Sequence, residues 1–283
     1  MLAWVSMPQH ALTSAEISLP RRPVPERVSE RIAILAQDVE LVGLTDNHAG
    51  EARMSPLAAV ALAREQGVRT IVHVSCRDRN RLALQAQVIG AAALGCDGVL
   101  CLFGDSTEGV TRVRDMNVVD LISAVGDWSR PAELVPGCVV NPFAKDLERE
   151  LELLRRKIGA GARFAQTQLI FDIPALIDFL ERVRELGEIR IFASVGILRT
   201  SEMADHFVSL PGVSLPEHVH RQIVKGGGID LARELSGALA SVKQVDALHV
   251  VPLGDERSAA EIAREFRRAR PMAPRPSSGG GCS

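Results

Sequence analysis

With 283 residues, 46% hydrophobic and 24% charged, the chain is long enough for one large core and too apolar for disorder outside its ends. The 33 Lys and Arg against 35 Asp and Glu leave a net charge of −2, which excludes the basic footprint of a nucleic-acid binder. No apolar run approaches the ~20 residues of a membrane span, and the opening MLAWVSMPQH lacks the form of a signal peptide, so a cytoplasmic protein without nucleic-acid or membrane partners is expected.

Residues 1–12 read as an N-terminal extension. The first apolar run, AEISL (15–19), contains one carboxylate, Glu16. A helical segment (26–37) leads to VELVGLTD (39–46), whose end offers Thr45, Asp46 and Asn47. Ser55 and Pro56 combine an N-cap with proline at the first helical position, and Gly67 follows the helix expected over 56–66. RTIVHVSC (69–76) sets His73 between two valines, where the default reading is a core histidine with satisfied partners. A helix over 80–94 stops at Gly95, and DGVLCLFG (97–104) runs abruptly into Phe103, Gly104 and Asp105. PGCVVN (136–141) ends on Asn141. The helix over 143–160 carries mixed charges that suit a solvated face, with Arg156 and Lys157 as the pair able to hold an anion. In RFAQTQLIF (163–171), alternation puts Gln166 and Gln168 on one face. A helix over 174–186, a strand EIRIFASV (188–195), a helix over 229–240 and a last strand ALHVVPLG (247–254) complete the series. KGGGID (225–230) lies between helical segments and reads as a loop, not a dinucleotide turn. Residues 271–283 form a Pro/Gly/Ser-rich tail expected to be disordered.

Strands alternating with helices imply a parallel sheet, and eight such units within residues 13–270 fit an α/β protein of the (β/α)8 TIM-barrel type. In that architecture polar residues at the C-terminal ends of strands converge on the site. Asp46 and Asp105 could equally shape turns, whereas Gln168, an amide among apolar neighbours, needs a polar partner if buried. The five cysteines lack metal or disulfide spacing and are expected to be reduced, and no metal site is expected.

Taken together, TDNHAGEARMSPLAAV, VHVSCRDRNRLALQAQVIGAAALGCDGVLCLFGD, NPFAKDLERELELLRRKIGAGARFAQTQLIFD and SVGIL resemble methylenetetrahydrofolate reductases, from about Glu16 to Leu253. The resemblance implies a barrel holding a flavin, FAD rather than FMN, that takes a hydride from NADH or NADPH and passes it to methylenetetrahydrofolate, the folate partner, in one-carbon metabolism and methionine biosynthesis. It implies Glu16, Asp105 and Gln168 as catalytic residues: Glu16 as the acid that opens the folate ring, with a carboxyl pKa raised by burial, and Asp105 and Gln168 on the folate, with Met203 beside the substrate. It implies flavin contacts at Thr45, His73, Phe103, Gly104, Asn141, Arg156 and Lys157. Phe103 stands where the family commonly has Thr or Arg, Leu153 where it has Asn, and Arg199 where it has Pro. Family members often form homo-oligomers, although no interface is legible in the chain. The same resemblance admits a folate-binding or partner subunit without its own reductase activity, and a homologue running oxidatively in a demethylation pathway.

Overall fold

A computed structural model describes residues 12–104, 111–209 and 215–270. Eight parallel strands close on themselves in sequence order: β1 (Leu12–Ile17), β2 (Leu41–Leu44), β3 (Thr70–Ser75), β4 (Gly98–Leu102), β5 (Val135–Val140), β6 (Phe164–Leu169), β7 (Arg190–Gly196) and β8 (Ala247–Val251). The barrel expected from the alternation is therefore the barrel observed. Around it run α1 (Pro25–Leu35), α2 (Pro56–Glu65), α3 (Arg81–Ala93), α4 (Val118–Trp128), α5 (Leu147–Gly159), α6 (Ile173–Val183), α7 (Ser201–Ser209), α8 (Glu217–Val224), α9 (Gly228–Ala240) and α10 (Glu256–Ala269). Local chemistry sets their ends. The Ser55 hydroxyl accepts from the Leu57 amide ahead of Pro56, and Gly67 takes φ +69° just past α2, where a side chain would be strained. Helices α4, α7, α8 and α10 lie beyond the helical segments named from periodicity.

The core divides by strand face. Outward-facing residues such as Val42, Val72 and Val99 pack under the helices. Cys101 and Cys138, neighbours across β4 and β5, join them, and burial pushes both thiols up, Cys138 to about 11. Inside the barrel, one apolar residue from each strand forms a floor: Leu12, Leu41, Ile71, Leu100, Val135, Phe164, Phe192 and Ala247. The Phe164 ring occupies the space that a Cβ on Gly137 would need, 2.1 Å away. Above this floor, period two brings polar residues inward, and the lumen changes from hydrocarbon to hydrogen-bonding chemistry within one side-chain layer.

Candidate functional site

Two positions beyond Leu12 and Ala247 along their strands, Ser14 and His249 are register partners; Glu16 lies two further along β1, opposite Gly43. The Ser14 hydroxyl is 2.8 Å from His249 Nδ1, and His249 Nε2 is 3.5 Å from a Glu16 carboxylate oxygen. His73 enters from β3, and its Nε2 lacks a hydrogen-bond partner among the described residues. Gly43 makes room for it, because a Cβ there would lie 3.3 Å from His73 Nε2 and 3.4 Å from Glu16 Cβ. One carboxylate and two imidazoles thus share the upper lumen.

Their electrostatics are coupled. Burial alone would push Glu16 up, but the close polar contact and charge of the His249 ring, helped by His73 and His48, outweigh it, and the carboxyl sits below its ordinary value. The raised acid expected from burial is therefore corrected in direction: the neighbouring imidazoles outweigh desolvation. His73 is pushed down to about 4, chiefly by burial, with Glu16 opposing, so it is a neutral imidazole near neutral pH. His249 was not singled out in the sequence. The signal was present, since it lies in the apolar run ALHVV as His73 does in TIVHVS.

The other candidate residues divide between lumen and frame. Gln168 is half-buried on β6, where its side-chain oxygen accepts from the Leu169 amide at 3.0 Å. A register shift between Gln166 and Leu169 interrupts strict alternation, so the two glutamines are not a simple same-face pair. Phe103 is 38% exposed at the end of β4, and its carbonyl accepts from the Ser75 hydroxyl and the Arg77 amide. Gly104 has φ +98°, and any Cβ would meet Ser75 Oγ at 2.3 Å. Asp105 lies outside the described residues. Thr45 Oγ1 donates to the Ile17 carbonyl and accepts from the Leu19 amide, stapling β1 to β2. Asn141 Oδ1 accepts from the Phe143 amide, while the Asn141 backbone N–H donates to the Glu150 carboxylate. Lys157 is buried, donating to the Val139 carbonyl at 2.7 Å, and Arg156 is exposed on α5. Asp46 is a framework residue: both its oxygens take the Arg79 guanidinium, and one accepts from the Ser75 amide.

A cavity of about 510 Å³ opens beside the end of β1, lined by Ser18, Arg27, Arg31, Met203, Phe207 and Leu253. Met203 lines this cavity with Ser18, just past β1, and Glu16 is not among the lining residues, so the structure does not bring Met203 to the lumen group.

Comparison with known proteins places the chain among relatives of one family. A family model described as methylenetetrahydrofolate reductase matches residues 5–267. Methylenetetrahydrofolate reductase 2 of Saccharomyces cerevisiae is 26% identical over 242 residues, covering 77% of this chain and 40% of that protein. The 5,10-methylenetetrahydrofolate reductase of Salmonella typhimurium is 24% identical over 172 residues, 60% of this chain and 57% of the relative. The matched region is thus less than two thirds of these relatives' length. Among solved structures, a Clostridium thermocellum protein described as binding two copies of 5-methyl-5,6,7,8-tetrahydrofolic acid superposes with a TM-score of 0.67 at 13% identity, over 95% of this chain and 99% of its own. Mycobacterium tuberculosis tryptophan synthase shares the barrel, with a TM-score of 0.59 at 14% identity. With the family model extending over nearly the whole barrel, the chain belongs to the methylenetetrahydrofolate reductase family.

Proposed function

We propose that the protein interconverts 5,10-methylenetetrahydrofolate and 5-methyltetrahydrofolate by hydride transfer, with the pterin in the barrel mouth above Glu16. The observation that carries this reading is the Glu16 carboxylate in the upper lumen beside His249 and His73. Reduction of the methylene bridge requires one ring nitrogen to take a proton, so that the five-membered ring opens to an electrophilic iminium. Glu16 is the group placed to carry that proton. In the free protein the histidines hold it ionised; a pterin closing the mouth excludes water, strengthens the burial contribution and raises the carboxyl toward a value at which it can hold and release a proton. His249 and Ser14 lie behind it as a hydrogen-bonded support, and Gln168 and Asp105 are the proposed contacts to the pterin edge. The folate binding named for the Clostridium thermocellum protein supports a ligand of the same class here.

The lumen also fits a planar heteroaromatic cofactor. His73 Nε2 is a buried polar atom without a hydrogen-bond partner among the described residues, and Phe103 and Val139, each 38% exposed, provide apolar contact at the strand ends. His73, Phe103, Gly104 and Arg156 would hold a flavin, while Thr45, Asn141 and Lys157 brace the strand ends behind them. When bound, the flavin would take a hydride from NADH or NADPH and deliver it to the methylene carbon.

A second reading, folate binding without independent reductase activity, is favoured by one observation: the Thr45 hydroxyl and the Lys157 ammonium, both assigned to the flavin by resemblance, are engaged within the protein. The absorption spectrum of purified protein separates the two. The reductase reading expects a flavin spectrum bleached by NADH or NADPH and restored by methylenetetrahydrofolate. Protein that binds folate but takes no added flavin and oxidises neither nucleotide would overturn it. Glu16→Gln is expected to lower folate reduction at least about a hundredfold, the usual scale of general-acid catalysis, while nucleotide oxidation survives; equal loss of both would remove Glu16 from the acid role.

A further inference from the structure

The outer faces of α2 and α3 do not resemble the rest of the barrel's surface. Seven of the fourteen residues of α10 are charged, whereas α3 carries Arg81 alone among thirteen, and the guanidinium of Arg81 stacks over Trp128 of α4. Beside it, α2 has no charge before Arg64. Leu84, Val88 and Ala91 turn α3's buried side to the barrel, yet the opposite side is also apolar: Leu82 is 74% exposed, Ile89 48%, and Ala83, Ala86 and Ala93 are exposed with them. A helix apolar on both sides is ordinarily a covered helix.

The order of sizes along this face indicates what covers it. Leu82, Ala86, Ile89 and Ala93 are spaced by four, three and four residues, the spacing of a coiled-coil seam, with large and small side chains in alternation. Turned end for end, the same series sets Leu82 against Ala93 and Ile89 against Ala86, so every large residue meets a small one. A two-fold axis produces that antiparallel pairing from two identical helices. We propose that α3 is the centre of a homodimer interface in which two copies of this chain pack their α3 helices antiparallel, Leu82 of each on Ala93 of the other. A stable dimer needs about 800 Å² from each partner, more than one helical stripe provides. The adjoining charge-free face of α2, with exposed Ala58 and half-buried Leu57 and Leu62, extends the patch, and Gly90 lets Leu57 lie against α3, since a Cβ there would be 2.8 Å from Leu57 Cδ1. Neither helix contributes a residue to the lumen site, so the proposal stands whichever activity the barrel has.

Sedimentation velocity on the full chain tests it. The expected species has twice the 30.5 kDa of the monomer. Leu82→Glu and Ile89→Glu should each weaken association at least tenfold, about 1.4 kcal/mol, with an unchanged far-UV circular dichroism spectrum. The pairing itself is tested by exchanging sizes. Leu82→Ala and Ala93→Leu should each weaken the dimer, and the double variant should recover it. A wild-type monomer at tens of micromolar, or a dimer indifferent to both glutamates, would overturn the interface; a double variant no better than the single ones would overturn the antiparallel pairing.

Discussion

The two lumen histidines give Glu16 its character, and each was legible to a different degree. Glu16 and His73 are apparent as polar residues inside apolar runs, but the sign of the Glu16 shift depends on His249, which a strand seven units later in the chain brings alongside β1 only when the barrel closes. Removing the imidazole leaves burial as the dominant influence. In His249→Asn, Glu16 is therefore expected to titrate at higher pH than in the wild type, read from the carboxylate stretch in difference infrared spectra; an unchanged midpoint would show that His249 does not govern it. Gly43 tests the packing of the same group. A methyl there falls within 3.4 Å of both Glu16 and His73, so Gly43→Ala should cost about 1–3 kcal/mol as overpacking, seen as a lower urea midpoint at constant slope.

At the scale of elements, the strand ends that looked like a converging set of ligands are in large part holding one another. Asp46 and Asn47 end β2, and Ser75, Arg77 and Arg79 follow β3; Arg79 forks onto Asp46, and the buried Arg77 reaches the Asn47 carbonyl and the Asp78 carboxylate. The backbone N–H of Arg77 also donates to the Phe103 carbonyl, and its carbonyl accepts from the Val113 amide, so one residue ties the end of β4 to the segment that leads into α4. A linear pattern reveals that polar residues end strands, but not whether their partners are ligands or one another, because that depends on side-chain reach between adjacent units. Removing one member exposes the difference. Asp46→Ala leaves a guanidinium that is 16% exposed without its carboxylate and should cost about 3 kcal/mol by chemical denaturation. A loss below about 1 kcal/mol would mean that the pair is not structural. The helices tell a similar story: α5 and α6 were evident from periodicity, whereas α4, opening with Val118 and Val119 and containing Ile122, has the β-branched content of a strand and is helical through its Asn117–Asp120 capping box and the packing of Leu121, Ile122 and Val125.

For the whole molecule, the decisive event is closure, in which β1 meets β8 and α10 returns to lie against α1 and β1. Eight β/α units indicate a closed barrel, but the residues that lock the seam are separated by more than 220 positions. Asp38, in the turn before β2, receives Arg264 through two hydrogen bonds of 2.9 and 2.7 Å and Arg267 through a third, while Glu40 takes Arg267, the Thr13 amide and the Thr13 hydroxyl. This cluster lies at the N-terminal end of the strands, the barrel face associated with stability and not with chemistry. The hydrogen bond from Arg264 is the largest influence on Asp38, burial opposes it, and the carboxyl is held below its ordinary value of 3.8. A carboxyl depressed in the folded state binds its proton more readily in the unfolded chain, so its stabilisation is complete above the unfolded value and is lost as pH falls through the folded one. Closure should therefore weaken on acidification below about pH 4. Asp38→Asn should lower the melting temperature at neutral pH, where the wild-type carboxylate is ionised, and the two proteins should converge as the pH is lowered toward 2, where the wild type has lost the same charge. Melting curves that stay parallel across that range would assign the acid sensitivity to other carboxylates and leave the seam held by packing alone.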